Sequence, residues 1–226
     1  MRSGNLAVFD LDGTITRHDT LWPFLLGYLW RRPWRVPRML LAVPAALRFA
    51  FQGDRGDIKG ALIHAALGGL MRPRLERWAE LYVARVLCRD LFAEALAAIA
   101  THRRQGDRLL LMSASTDLYV PRIGAALGFD ETICTKVRWR QDGRLDGHLA
   151  SANCRGEEKL RCLQALVARE RPECVYAYAD SGSDLPHLQW VQRGFLINAS
   201  RATLRRAAAG IQSLHWSQRA SAGQIL

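Results

Sequence analysis

Lysine is scarce in this chain. Of 32 basic residues among 226, only Lys59, Lys136 and Lys159 are lysines and the remainder are arginines. A GC-rich genome accounts for that bias by itself. The five cysteines (Cys88, Cys134, Cys154, Cys162 and Cys174) are odd in number and contain no C-x-x-C pair. That argues against a disulfide framework or a zinc site and fits a reducing compartment. Arg or Pro breaks every apolar stretch short of the roughly 20 residues a membrane-spanning helix needs. The chain runs directly into Leu6-Ala7-Val8-Phe9 without a long apolar region before a small-residue cleavage site, so no signal peptide and a cytoplasmic location are expected. The six histidines show no ligand spacing, no repeat is visible, and no aromatic–basic motif suggests nucleic acid. Acid is also in deficit. The formal net charge is +11 and the isoelectric point about 10.2, a balance that favours anionic partners.

Hydrophobic residues make up 49% of the chain, enough for one sizeable core with a small accessory domain. Residues 5–9 read as a buried strand ending in Asp10-Leu11-Asp12-Gly13-Thr14. Residues 54–104 carry apolar positions at helical spacing around Leu62, Trp78, Leu81, Tyr82 and Leu96. Leu109–Met112 reads as a second strand ending at Ser113, and Val137–Leu149 as a hairpin turning at Asp142-Gly143. Residues 117–127 and 157–169 read as helices, and Val175–Ala179 as a strand ending at Asp180. Gly194–Ala199 reads as a further strand, and the last 20 or so residues show no strong pattern. Strands alternating with helices predict a parallel sheet with helices on both faces, its ligand lying beyond the carboxyl ends of the strands. Asp10, Ser113 and Asp180 should therefore converge on one crevice.

Such a crevice would gather hard oxygen donors. Asp10 and Asp12 can face one pocket if the chain turns at Gly13, and Asp184 would lie one helical turn beyond Asp180. Several carboxylates in one place repel each other, and a divalent ion offsets that. Oxygen donors with few nitrogens or sulfurs suit Mg²⁺. Lys159 and Ser113 would add a cation and a hydroxyl for phosphate oxygens, although Ser115 or Thr116 could take the place of Ser113. Each piece also has a plainer reading, as a turn at Asp12-Gly13, a loop at 180–183 and a solvated helix lysine.

Taken in order, Asp10-Leu11-Asp12-Gly13-Thr14, Ser113, Lys159 and Asp180-Ser181-x-x-Asp184 resemble the four motifs of the haloacid dehalogenase superfamily. The hairpin and Asn153-Cys154-x-Gly156-x-Glu158-Lys159 resemble its phosphoserine-phosphatase-like subclass. That resemblance implies a Rossmann-like α/β core over residues 1–17 and 97–205, a helical cap at 18–96 inserted after the first strand, and a tail at 206–226. It implies a Mg²⁺-dependent phosphatase with Asp10 as nucleophile and Asp12 as general acid and then base. Ser113, Ala114 and Lys159 would hold the phosphoryl group. Asp10, the main-chain carbonyl of Asp12 and Asp180 would hold the metal, with Asp184 in its outer shell. Asp19 and Ser183 are candidates for substrate contact. The sequence departs from the common pattern at Ala179, at Ser183 where Asn is frequent, and at Ala114 where Gly often follows the Ser. Asp19 stands where phosphoserine phosphatases carry Glu, and Ile63 where they carry an Arg for the substrate carboxylate, which weakens free phosphoserine as substrate.

Residues 21–51 have a composition of their own. They mix Trp22, Trp30 and Trp34 with Arg31, Arg32, Arg35, Arg38 and Arg48, and contain no acid. This is the composition of an interfacial anchor lying on an anionic membrane, and it resembles the insertion of phosphatidylglycerophosphatase C-type members. A lipid-linked phosphate such as phosphatidylglycerophosphate, met at the cytoplasmic face of the inner membrane, is then the expected substrate. Alternatively, the segment is the cap's own core and the substrate is a soluble metabolite.

Overall fold

Leu6, Ala7, Val8 and Phe9 are all buried, as a strand covered on both faces must be. They form β1 (Leu6–Phe9), at the centre of a six-stranded sheet. Its other strands are β2 (Arg108–Thr116), β3 (Glu131–Thr135), β6 (Val175–Ala179), β7 (Arg193–Ile197) and β8 (Gln212–Leu214). The order is β3-β2-β1-β6-β7-β8 and every pairing is parallel. The computed structural model describes residues 4–44, 46, 47 and 55–221. Expectations placed on Arg48, on the end of the 21–51 segment and on residues 222–226 lie outside them.

Alternation along the strands divides the core. Ala7, Phe9, Leu109 and Leu111 face one apolar layer. Leu6, Val8, Leu110 and Met112 face the other, with Leu163, Leu166, Leu185 and Leu188. These last four belong to α6 (Glu157–Glu170) and α7 (Leu185–Trp190). Glu157 and Glu158 occupy the first turn of α6, where acid complements the helix dipole.

Between β1 and β2 lie α1 (Leu21–Trp30), a 3₁₀ segment (Pro33–Ala42), α2 (Arg55–Leu67), α3 (Arg72–Arg89) and α4 (Ala93–Gln105). In α3 the buried residues Leu75, Trp78, Ala79, Tyr82, Val83 and Val86 recur at spacings of three and four, one apolar stripe that docks the helix. Gly106 closes α4 with φ +77, the left-handed cap glycine adopts without strain. Two further helices are α5 (Val120–Ala126), which packs beside β2 and β3, and α8 (Arg201–Arg206), which connects β7 to β8. The hairpin expected at 137–149 is present as antiparallel β4 (Val137–Trp139) and β5 (Leu145–Leu149). It is joined to the end of α2 by Gly69 N–H to Leu145 O and Leu145 N–H to Leu70 O, both 2.8 Å.

Two details differ from the sequence reading. β2 continues through Ser113 to Thr116, because the parallel pairing with β3 resumes after a register shift between Ser113 and Thr116. And β8 lies in the stretch without pattern, since a three-residue edge strand is too short to show alternation.

The 21–51 segment splits in two. Leu21, Phe24, Leu25, Tyr28 and Leu29 of α1 are buried in the core, with Phe24 against Trp78, Tyr82 and Tyr119 and Tyr28 against Trp78. Beyond them Trp30, Trp34, Val36, Leu40 and Leu41 stand exposed, Trp30 at 88%. Several arginines here have structural partners. Arg31 stacks 4.8 Å over Trp78, Arg32 lies over Tyr28 and Trp34, and Arg35 donates to the carbonyls of Ala66 and Gly68 at the end of α2.

Candidate active site

β1, β2 and β6 are neighbours in the sheet, so the residues just past their carboxyl ends must meet. Asp10 continues β1 and is fixed by its own N–H to Tyr178 O at 2.9 Å. Asp180 comes directly after β6, Asp184 begins α7, and Lys159 reaches in from the first turn of α6. Lys159 Nζ donates to Asp10 Oδ1 at 2.6 Å and to Asp184 Oδ1 at 2.8 Å. Gly13 takes φ +78, and any Cβ there would run into the Asp180 carboxylate. Glycine is therefore required twice over, for the turn and for the close approach.

Burial and crowding set the charges. Burial, opposed by Lys159, pushes Asp10 well above the usual carboxylate range, and Asp184, Asp180 and Asp12 add to the push. Burial and then Asp184 lift Asp180 to about 6. Burial would raise Asp184 as well, but Lys159 and neighbouring donors hold it at about 2. Burial works against the Lys159 ammonium, yet Asp10 and Asp184 outweigh it and keep the group charged.

Asp10, Asp180 and Asp184 each present an oxygen, all within 4.8 Å of one another. One buried ammonium does not neutralise three carboxylates, and oxygen donors alone suit Mg²⁺. The donor set therefore fits that ion. The Asp12 carboxylate is otherwise engaged. Its Oδ1 accepts from Thr20 N–H at 2.7 Å and from Thr20 Oγ1 at 2.6 Å. Its Oδ2 accepts from Ser115 Oγ at 2.7 Å and from Ser113 Oγ at 3.4 Å. Burial and Asp19 raise its pKa while these hydrogen bonds oppose the rise.

A cavity of about 550 Å³ opens over these groups, lined by Asp10, Asp12, Asp19, Ala114, Ser115, Lys159, Asp180, Ser183 and Asp184. Ser113 is fully buried behind it and accepts from Ser115 N–H at 3.0 Å. Asp19 is exposed, and its Oδ1 accepts from Trp22 N–H at 3.0 Å. Ser183 Oγ lies 2.7 Å from Ser181 Oγ, which in turn donates to Asp184 Oδ2.

Sequence reasoning missed Thr20 and Lys59. Thr20 holds Asp12 and is itself held by Tyr119 Oη at 2.9 Å and by Tyr82 Oη, which donates to its carbonyl at 2.6 Å. Lys59, on α2, lines the same cavity and donates to Ala114 O at 2.7 Å and Asn153 Oδ1 at 2.6 Å. Burial lowers its pKa to about 8. No local pattern marks either residue, because their partners stand far along the chain.

The model of the haloacid dehalogenase-like hydrolase family matches residues 7–189. The protein CicA of Caulobacter vibrioides is 31% identical over 184 residues, 79% of each chain. A histidinol-phosphatase of Neisseria meningitidis serogroup C is 27% identical over 205 residues, 86% of this chain and 90% of that protein. Among solved structures, a protein of unknown function from Bordetella pertussis Tohama I superposes with a TM-score of 0.79 at 24% identity, over 94% of this chain and 98% of that one. A substrate-bound phosphoserine phosphatase superposes with a TM-score of 0.67 at 16% identity, over 95% and 94%.

Proposed function

The chain belongs to the haloacid dehalogenase-like hydrolases and has the fold of their phosphoserine-phosphatase-like subclass; from this premise we propose that it is a phosphatase of that type and hydrolyses a small phosphate monoester of an amino alcohol. The cavity of about 550 Å³ carries this reading, since its size suits a metabolite. Its polar lining includes Asp19 at the mouth and Lys59 and Asn153 within, beside the apolar Trp22, Ile58 and Leu62. Asp19 supplies an anion for a substrate ammonium. The name of the Neisseria relative points the same way, histidinol being an amino alcohol. Ile63, where a carboxylate-binding Arg would be needed for phosphoserine, is fully buried in the core.

In the proposed reaction an Asp10 carboxylate oxygen attacks phosphorus and the phosphorus–ester oxygen bond breaks. Asp12 gives its proton to the departing alkoxide. Asp12 then takes a proton from water, which attacks phosphorus and releases Asp10 and inorganic phosphate. The raised pKa of Asp12 suits both duties. Lys159, with Ser113, Ala114 and Ser115 at the end of β2, holds the phosphoryl oxygens. Mg²⁺ held by Asp10, Asp180 and the Asp12 carbonyl, with Asp184 in the outer shell, would screen nucleophile and substrate from each other. Ser183, which lines the cavity, is proposed to contact substrate. The proposed division keeps residues 1–17 and 97–205 as the core, 18–96 as the cap and 206–226 as the tail.

A second reading rests on one observation. The exposed Trp30, Trp34, Val36, Leu40 and Leu41 alternate with arginines and no acid, which favours an anionic membrane surface and a lipid-linked phosphate such as phosphatidylglycerophosphate. No helix among the described residues is long and apolar enough to cross a membrane. A phosphate-release screen separates the two. Histidinol phosphate and phosphoserine are compared with phosphatidylglycerophosphate and lysophosphatidate, with and without detergent. Preference for a soluble amine-bearing ester, with Asp19→Asn raising its KM and sparing amine-free esters, supports the first reading. Turnover confined to lipid phosphates, with flotation on anionic liposomes, replaces it with the second.

A further inference from the structure

Three side chains outside the active site converge where α2 meets β5. His64 lies in the last turn of α2, and Asp146 and His148 stand two apart on β5. His64 Nδ1 is 2.5 Å from the main-chain oxygen of Asp146, and His148 Nδ1 is 2.8 Å from Asp146 Oδ1. The two rings are 5.2 Å apart between centroids. Ligand atoms of all three residues lie within 4.8 Å of one another. The junction depends on Gly147, whose φ is +95 and where any Cβ would collide with the His64 main chain. Helix and hairpin meet at that glycine, and the meeting gathers the donors.

We propose that His64, Asp146 and His148 form a second cation site, for a borderline divalent ion such as Zn²⁺ or Co²⁺, separate from the all-oxygen centre at Asp10. Two imidazoles and one carboxylate are the donor set such ions prefer, and Mg²⁺ does not. The ion takes one nitrogen from each ring and Asp146 Oδ1, displacing the proton shared by His148 and Asp146. Arg138 Nε holds the other carboxylate oxygen at 2.6 Å, which leaves Oδ1 for the ion and fixes its direction, as outer partners of metal ligands do. Bond lengths of about 2.0–2.1 Å to Zn²⁺ require the donors to draw closer than they stand. His148 can supply that movement, because its side chain is 55% exposed. Its exposure also leaves the remaining coordination positions to water. α2 carries Ile58, Lys59 and Leu62 into the active-site cavity, so an ion here would staple that wall of the cavity to the hairpin. Without an ion the same contacts are an ordinary polar join between helix and hairpin, and the two cases differ in a measurable way.

The full-length protein, with Mg²⁺ in saturating excess, is titrated with Co²⁺ and followed by visible absorption, then challenged with Zn²⁺. The expected result is one equivalent of Co²⁺ with ligand-field bands that Zn²⁺ abolishes. His148→Ala weakens Co²⁺ binding by at least about tenfold, and His64→Gln does the same. Both variants keep their circular dichroism spectrum and Mg²⁺-dependent phosphatase activity, while Asp180→Asn leaves the Co²⁺ bands unchanged. If His64→Gln fails to fold, His148→Ala decides alone. Equal Co²⁺ affinity in the wild type and His148→Ala overturns the proposal, as does the absence of any ligand-field band in the wild type.

Discussion

Lys159 Nζ sits 2.6 Å from Asp10 Oδ1 across a sequence separation of 149 residues. The same ammonium reaches Asp184 Oδ1 at 2.8 Å, and the lysine is 2% exposed. Removing it strands two buried carboxylates. Breaking a buried pair on one side costs about 3–5 kcal/mol, so Lys159→Met should lower the urea midpoint substantially. Because Mg²⁺ can offset part of the stranded charge, the loss should shrink when the metal is added. A midpoint unchanged from wild type in metal-free buffer would contradict the pairing.

Asp10→Asn removes the proposed nucleophile. Release of phosphate from an aryl phosphate in the presence of Mg²⁺ should fall by roughly 10³-fold or more. No acid-stable phosphoprotein should be trapped from a labelled substrate. Full activity in this variant would dismiss the assignment.

Thr20 is expected to act through Asp12. Its hydroxyl hydrogen bond at 2.6 Å favours the ionised carboxylate, so Thr20→Val should raise the Asp12 pKa further. In the proposed mechanism the acid limb of the kcat profile belongs to Asp12 as a base and the alkaline limb to Asp12 as an acid, so both limbs should move to higher pH. The maximum of kcat should drop by about 10- to 100-fold, within the range general acid–base catalysis supplies. A profile that falls without moving would indicate a packing role alone.

Lys59 titrates at about 8 because it is buried. Below that pH it is cationic and attracts an anionic substrate; above it the charge is lost. KM should therefore climb as pH rises through about 8. In Lys59→Arg, with a guanidinium that stays charged, the climb should be absent. Steady-state kinetics between pH 6.5 and about 9.5 on one soluble ester resolve the difference.

The sequence is most informative where chemistry comes directly after a strand end. Asp10 and Asp180 could be placed in one crevice because β1 and β6 are short apolar runs with an abrupt polar stop, and parallel sheets put those stops on one side. Thr20 and Lys59 escaped notice because each acquires its partners through tertiary approach. Thr20 Oγ1 meets Tyr119 99 residues on, and Lys59 meets Asn153 94 residues on. The apolar run of β2 stops at Ser113, so the strand's polar continuation to Thr116 is not legible, although the hydroxyls of Ser113 and Ser115 find partners inside the site. Residues 21–51 look interfacial by composition, but half of their first helix, α1, is core. Composition cannot tell an apolar face turned to Tyr82 and Tyr119 from one turned to lipid.

β1 has a hydrogen-bonded partner on each side, β2 through Leu6–Phe9 against Arg108–Leu111 and β6 through the same residues against Val175–Tyr178. The backbone leading to residue 10 cannot shift without tearing two ladders at once. Amide deuterium uptake should consequently be slowest there and faster in the helices over the cavity mouth. The proposed nucleophile thus rests on an anvil that does not give.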